Sequence, residues 1–283
     1  MHRRRAEEAI FKGLMIASIT IVAGSLLSIV AILAWKGLPA LNIAMITQTP
    51  KGGYYLGKEG GILNAIVGSL YLATGATVLA FIISLMVALF LQREYIGKTR
   101  FAGLVRLSLD ILWGIPSIVY GAFGFAIMLY MGIRASLLGG IIVLTLLEIP
   151  ILTRALDEVV RMIPKDLKEA SYALGTTRLE TSFKVVARQA LPGIITAVLL
   201  AFGRGIGDAA SILFTAGYTD RIPTSLFDPV ASLPLAIFFQ LGTPFPEVQA
   251  RAYASAVILL VIILSISIVS RLLTNRLARN SVK

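Results

Sequence analysis

Long apolar runs with almost no charged residues dominate the sequence. Six runs are long enough to cross a membrane as helices, and they cover residues 13–35, 62–92, 111–133, 135–153, 189–216 and 252–270. A helix needs about 20 mostly apolar residues to span the hydrocarbon core of a bilayer. Two of the runs carry charges, which are Glu148 in the fourth and Arg204 with Asp208 in the fifth. The pattern therefore predicts six transmembrane helices.

A seventh run, residues 229–246, is uncharged but broken by four prolines, at Pro229, Pro234, Pro244 and Pro246. Proline removes a backbone donor and breaks a helix unless neighbours satisfy the freed carbonyl group. We predict a long loop with one short apolar helix near residues 235–241. This loop either dips into the membrane or caps the helix bundle.

The composition agrees with an integral membrane protein. Of the 283 residues, 57% are hydrophobic and 14% are charged, whereas a soluble domain has about 45–50% apolar and about 25% charged residues. The chain has no cysteine, and its one histidine is His2. Disulfides, thiolate or histidine metal sites and catalytic sets built on these residues are therefore excluded. We expect no catalytic residue and no metal ligand in this chain.

The segment Gly97-Lys98-Thr99 resembles the end of an ATP phosphate-binding loop. That loop requires a glycine five residues before Gly97, and this position is Gln92. The chain therefore lacks the ATPase motif, and any energy from ATP must come from a partner subunit.

The charge distribution predicts the orientation in the membrane. The formal net charge is +11. With six spans, nineteen basic residues fall on the side of the two termini and six on the other side. The positive-inside rule places both termini in the cytoplasm. The positive charge is thus a topology signal and not a sign of nucleic-acid binding, and the arginines at 3–5 are suited to anionic lipid headgroups.

The loop between spans four and five is more structured than a connector requires. Asp166 and Glu169 match the cap and reciprocal partner of a helix start, and Gly175 suits the left-handed position after a helix end. Thr177 and Glu180 repeat the capping pattern. The sequence predicts a short helix, a glycine break and a second helix that runs into span five. The first helix is either an amphipathic surface helix or a docking element for a cytoplasmic partner.

Span five contains an ionisable pair deep in an apolar run. Arg204 and Asp208 are four residues apart, so one continuous helix would place them on one face. The pair either neutralises itself and fixes packing, or forms an anion site, because a guanidinium matches tetrahedral oxyanions with paired donors. Gly203 and Gly207 would form a small-residue face for close helix packing.

Two motifs resemble known transport proteins. The segment Glu169-Ala170-Ser171, followed by Gly175, is similar to the EAA loop in membrane subunits of ATP-binding-cassette importers, with Ser in place of the second Ala. The family's later Leu-Pro is displaced, since residues 187–188 are Ala-Arg here. The resemblance implies that a coupling helix docks on an ATPase subunit through Asp166, Glu169, Ala170, Ser171 and Gly175.

The string GRGIGDAASILFTAG at 203–217 resembles span five of phosphate importer permeases of the PstA type. It departs from their motif at Gly205, where the family has Ala, and at Asp208, where it has Glu. The resemblance implies that Arg204, and less directly Asp208, line the phosphate path. A permease for sulfate, molybdate or another oxyanion is the nearest alternative, and an ion-driven secondary transporter is a more distant one.

The resemblance also implies an architecture and a set of partners. We expect an all-α, six-helix type I importer permease with a MetI-like fold, divided into residues 1–61 and a permease core at 62–283. The expected partners are a PstC-like sister permease, a PstB-like ATPase dimer that binds ATP-Mg, a PstS-like phosphate-binding protein and membrane lipid. No cofactor is expected in the chain itself, which would lie in the cell inner membrane.

Overall fold

Helices form nearly all of the chain that the structure describes. The computed structural model describes residues 2–51, 59–92 and 95–278. The α-helices of these residues are α1 (His2–Gly37), α2 (Ile43–Thr47), α3 (Leu63–Phe90), α4 (Arg100–Trp113), α5 (Ser117–Tyr130), α6 (Leu137–Arg161), α7 (Lys165–Ala173), α8 (Arg178–Glu180), α9 (Ala187–Gln189), α10 (Leu191–Gly207), α11 (Leu233–Leu241) and α12 (Pro246–Ala278). A 3-10 turn (Leu38–Ala40) follows α1, a π-helix (Thr181–Val186) joins α8 to α9, and strand β1 (Pro50–Lys51) pairs antiparallel with β2 (Glu59–Gly60).

The six predicted spans correspond to four long helices and two bent pairs. The four long apolar segments are Ile10–Ala40, Leu63–Phe90, Leu137–Arg161 and Pro246–Arg276. The bent pairs are α4 with α5, at 97°, and Arg178–Gln189 with α10, at 72°. Six spans result if each bent pair crosses the membrane once.

The third span is not the straight helix that the apolar run predicted. Helix α4 begins at Arg100, inside the expected loop, with the Thr99 hydroxyl accepting a hydrogen bond from the Ala102 N–H. The helix ends at Trp113, and α5 starts only after Pro116. Proline cannot donate a backbone hydrogen bond and disfavours helical geometry in the residue before it. The third span is therefore completely broken between α4 and α5, at Pro116.

The fifth span also ends earlier than predicted. Helix α10 stops at Gly207, and Asp208 has extended backbone with ψ 125°. The Asp208 carboxylate accepts a hydrogen bond from the Ser211 N–H at 2.8 Å. Short polar side chains compete in this way with helical hydrogen bonds, and two glycines in the last turn weaken the helix further. The apolar run continues to residue 216 as turns.

The core lies where α3 packs against α6. Ala73, Ala76 and Ala80 are completely buried on α3. The Ser84 hydroxyl donates to the Ile149 carbonyl oxygen at 3.3 Å, between the same two helices. Small side chains let helix backbones approach closely, which is how helices associate where lipid removes the hydrophobic driving force. Helix α10 packs against both members of this pair.

The short helix predicted near 235–241 is confirmed as α11. It begins after Ser232, whose hydroxyl accepts from the Leu235 N–H, and its apolar residues Leu233 and Leu235 are fully buried. The Ser69 hydroxyl on α3 accepts a hydrogen bond from the Leu233 N–H at 2.8 Å. The segment after α10 therefore folds back onto the bundle and covers the end of α3.

A buried carboxylate joins α3, α4 and α6 at one end of the bundle. Asp157 on α6 is completely buried, and Arg106 on α4 approaches it at 2.8 Å. Arg154 and Arg161 lie 3.5 Å from the same carboxylate, and Gln92 donates to it at 3.2 Å. Charged groups buried in this way must be paired and hydrogen-bonded to be tolerated.

We expect the substitution Asp157→Asn to lower the free energy of unfolding by about 1.5–3 kcal/mol, because it removes the buried carboxylate charge that three partly exposed arginines share. Chemical unfolding of the purified protein in detergent measures this change. Asp166→Asn, which removes an exposed acid on α7, is the matched control and should change the stability little. Equal stabilities of the two variants would contradict the role assigned to Asp157.

Candidate anion path and coupling surface

Arg204 lies in the last turn of α10 with its side chain exposed. It forms no hydrogen bond and no ion pair within 4.0 Å to any residue that the structure describes. A guanidinium at membrane depth costs roughly 2.5–3.5 kcal/mol on insertion scales, so such groups face cavities or other subunits rather than lipid. The group is available to bind an anion.

A groove of about 520 Å³ connects Arg204 with a second arginine. It lies between α6 and α10, and its walls are mainly apolar, with lining residues Trp113, Ile151, Leu152, Arg154, Ala155, Glu158, Ala197, Leu200, Ala201 and Arg204. The two helices run antiparallel, since Gly193 packs on Val159 and Gly205 packs on Glu148. Arg154 also contacts Asp110 of α4 at 2.7 Å. The groove is therefore lined by Arg204, which forms no ion pair with a described residue, and by Arg154, which is paired with Asp110.

Glu148 lies directly behind this part of α10. Its side chain is completely buried, and a Cβ atom added at Gly205 would collide with its Oε1 atom. The Thr77 hydroxyl on α3 faces the carboxyl group of Glu148. Glu148 also lies within electrostatic reach of both Arg204 and Asp208.

The sequence shows Glu148 only as an acid inside the fourth apolar run, and the structure brings it beside the Arg204 turn. The signal was present in part, as an acid inside an apolar run. The sequence does not show the antiparallel register of α6 and α10. This register brings residue 148 of α6 into contact with residue 205 of α10.

Asp208 is the residue at which α10 ends, which corrects the predicted length of the fifth span. The side chains of Arg204 and Asp208 both lie within electrostatic reach of Glu148. Asp208 is half-buried and is held by the Ser211 N–H. Its place in the path stays a prediction.

The two glycines predicted to pack a helix do not do so among the residues that the structure describes. A Cβ atom at Gly203 would meet nothing within 4 Å, and one at Gly207 would meet only Ile263 at 3.8 Å. The closely packed glycines of α10 are Gly193, against Val159, and Gly205, against Glu148. Packing of Gly203 and Gly207 against another chain stays a prediction.

The predicted coupling residues lie on or beside α7. Asp166, Glu169 and Ala170 are exposed, whereas Ser171 is buried. Asp166 is not the helix cap, because α7 starts at Lys165 after Pro164 and no side chain caps it. The left-handed conformation expected of Gly175 is confirmed at φ +83°. The nine-residue helix α7 thus has an exposed face, while Lys168 and Ser171 on its other face are buried.

Hydroxyl groups hold α7 against the helix that leads to α10. The Ser171, Thr176 and Thr181 hydroxyls lie within 2.7–3.1 Å of one another. The predicted cap of Thr177 with Glu180 is confirmed, with both reciprocal hydrogen bonds present. The Thr177 N–H and the Lys184 ammonium hold the pKa of Glu180 at about 2, so this cap stays charged at physiological pH. These contacts join α7 to the helical segment that follows it.

Comparisons with known proteins agree with this architecture. The family model described as "Binding-protein-dependent transport system inner membrane component" matches residues 84–279. A "Phosphate transport system permease protein PstA" of Haemophilus influenzae is 33% identical, covering 95% of this chain and 94% of the relative. The same-named protein of Yersinia pestis is 34% identical over 84% of this chain and 80% of its own length.

Among solved structures, the chain is similar to one described as "Inward facing conformations of the MetNI methionine ABC transporter". The TM-score is 0.62 at 20% identity, and the match covers 76% of this chain and 95% of that one. This likeness confirms the expected all-α, MetI-like type I importer permease fold. The predicted division at residue 62 stays a prediction. From the family match and the relatives, the chain belongs to the inner membrane components of binding-protein-dependent transport systems.

Proposed function

We propose that this chain is the membrane permease subunit of an ATP-driven phosphate importer and forms, with a sister permease, the path for inorganic phosphate into the cytoplasm. The unpaired, exposed guanidinium of Arg204 carries the proposal, together with relatives named as phosphate transport system permease proteins. A guanidinium presents five donors in a planar fork that fits phosphate oxygens in pairs. Phosphate thus supplies the partner that Arg204 lacks within the described chain.

A second permease subunit completes the path. One arginine is too little charge to balance phosphate, and the open side of α10 at Gly203 and Gly207 leaves room for a path with a second subunit across it. We infer that a PstC-like chain faces this side of α10 and contributes further charge to the site.

The ATPase and the binding protein act on opposite faces. The excess of basic residues on the side of the termini supports a cytoplasmic position for α7, where its exposed face would dock on a PstB-like dimer that binds ATP-Mg. A PstS-like protein would deliver phosphate to the outer segments 36–61 and 217–250. Both termini would then be cytoplasmic in a multi-pass protein of the inner membrane.

ATP hydrolysis would reach the anion site through one helical path. Helix α7 is fixed by hydroxyl contacts to the helical segment Arg178–Gln189, which meets α10 at a 72° bend. Displacing α7 would rotate this segment and tilt α10, which carries Arg204. The groove between α6 and α10 would open toward the cytoplasm as Arg204 moves past Glu148. Alternating access then follows from a rigid-body tilt.

A permease for sulfate or molybdate is the second candidate. Both anions are tetrahedral and would bind the same guanidinium, so the geometry of Arg204 alone does not favour phosphate over them. The relatives' names favour phosphate.

Replacement of Arg204 by Gln should reduce phosphate uptake at least about thirtyfold, because loss of a desolvated charged hydrogen bond costs 2 kcal/mol or more. Arg204→Lys keeps the charge but not the fork and should retain part of the uptake. Uptake of radiolabelled phosphate measures the effect of both substitutions. The assay uses cells that lack their own high-affinity importer and that express this chain with its sister permease, ATPase and binding protein. Arg271→Gln, an exposed arginine on α12, is the control. Wild-type uptake by an assembled Arg204→Gln variant would contradict the proposal, and sulfate uptake by the wild type would reassign the substrate.

The contact of Glu148 with Gly205 should behave as a coupled pair. Gly205→Ala places a methyl group against the buried carboxyl group and should lower stability by about 1–3 kcal/mol, as overpacking does. Combining it with Glu148→Ala removes the collision, so the double variant should be more stable than the sum of the two single effects allows. Thermal unfolding of all three variants tests this. Strictly additive effects would show that the two side chains do not meet.

Blocking the exposed face of α7 should uncouple ATP hydrolysis from transport. We expect Ala170→Arg to abolish the stimulation of ATPase activity by phosphate-loaded binding protein, because the larger charged side chain prevents close docking. Asn275→Arg, exposed at the end of α12, adds the same side chain elsewhere and should leave the stimulation intact. Normal stimulation with Ala170→Arg would exclude this face as the docking surface.

A further inference from the structure

A large basic cavity lies between α7 and the end of the helix bundle. Its volume is about 1050 Å³, and its lining includes the cations Lys98, Arg106, Arg161, Lys165, Lys168 and Arg178. Among the described lining residues the only acid is Glu169. Arg204 does not line it, so this cavity is distinct from the groove described above.

The six cations come together from several segments of the chain. They belong to the connection before α4 and to α4, α6, α7 and α8. Three of them, Lys98, Lys165 and Arg178, form no ion pair within 4.0 Å to a described residue. Like charges gathered around one concave space repel each other and focus a positive potential that attracts anions. A general excess of basic residues on this side would not require them to share one cavity.

The walls of the cavity are fixed by hydrogen bonds. Arg106 donates to the Leu91 carbonyl oxygen at 2.6 Å, besides its contact with Asp157. Tyr95 and Ser182 are joined through their hydroxyls at 3.2 Å, which ties the connection before α4 to the π-helix. Because these walls are already fixed, binding a ligand would cost little conformational entropy of the side chains.

We propose that this cavity binds a phosphate-bearing anion on the α7 side of the membrane. Arginine forks and lysine ammonium groups are the side chains that recognise phosphate oxygens. The volume of about 1050 Å³ lies just above the range of small-molecule sites, which measure about 300–1,000 Å³. The phosphate group belongs either to a dissolved compound or to the headgroup of an anionic lipid, since the cavity lies at the end of the spans.

Binding of an anion in the cavity would affect the coupling of ATP hydrolysis to transport, because one wall of the cavity lies on α7 and the other on the helix bundle. Lys165 and Lys168 lie on α7, whereas Arg106 and Arg161 lie on α4 and α6. An anion between them would draw α7 toward the bundle and favour the conformation in which the walls are closest. The proposal depends on the proposed function only for the cytoplasmic side of α7.

The test uses the assembled transporter carrying Arg204→Gln, which removes the phosphate site of the path. Equilibrium binding of radiolabelled inorganic phosphate, with the transporter in phosphatidylcholine nanodiscs, tests whether the cavity binds a dissolved phosphate compound. Native mass spectrometry counts the phosphatidylglycerol molecules retained through purification, and this tests whether the cavity binds an anionic lipid headgroup. At least one probe should bind, and Lys98→Gln with Lys165→Gln should weaken it about tenfold.

Three further variants separate the site from surface charge. Lys98→Arg with Lys165→Arg preserves the positive charge and should retain binding. Lys98→Gln alone leaves α7 unchanged and should still weaken binding, so any loss of ATPase docking does not obscure the result. Arg188→Gln, an exposed residue outside the cavity, should have no effect. The proposal fails if neither probe responds to the lysine substitutions, or if Arg188→Gln reduces binding equally. Phosphate uptake by the wild type is measured separately. The proposed transport function and the proposed binding in the cavity can therefore be contradicted independently of each other.

Discussion

The cost of placing a charged group at membrane depth governs the central part of this structure. Arg204 has no ion pair within 4.0 Å in the described chain and is exposed on α10, so another subunit, water or an anion must satisfy it. The opposite side of the same turn packs Gly205 against the buried Glu148. The two sides of α10 therefore perform different tasks. One side fixes the helix to α6, and the other presents a positive charge.

The route from the coupling helix to Arg204 follows from covalent continuity and a few polar contacts. The hydroxyls of Ser171 and Thr181 hold α7 to the π-helix, and the chain then runs through α9 into α10. The cluster around Asp157 fastens the neighbouring ends of α4 and α6. These contacts join α7, the segment after it and α10 into one continuous connection, while the Asp157 cluster joins α4 to α6.

Local signals in the sequence were sufficient for the spans, for α11 and for the details of the coupling loop. Gly175 and the Thr177 cap depend on short-range chemistry, and both are confirmed. The break at Pro116 and the end of α10 at Gly207 were misjudged, because hydrophobicity continues through both. An apolar run identifies residues that are removed from water, but it does not show at which residue the helical hydrogen bonds end.

The juxtapositions of Glu148 with Gly205 and of Arg106 with Asp157 were beyond sequence reasoning. Each joins residues more than fifty positions apart, and their contact depends on the register between packed helices. Spacing along one helix identifies faces but gives no register between two helices. The same limit applies to the basic cavity, whose lysines and arginines look like ordinary topology signals until the fold brings them together.

The central claim is that the Gly203–Arg204–Gly207 side of α10 faces an aqueous anion path. Because the chain has no native cysteine, single cysteines at Gly203 or Gly207 can be labelled selectively, and both positions have room for a side chain. We predict that a charged, water-soluble thiol reagent labels both in the assembled transporter and that phosphate slows the labelling, whereas Ile19→Cys on the unburied α1 reacts only with a lipid-soluble reagent. Failure of the water-soluble reagent to reach positions 203 and 207, in every transport state, would contradict the account.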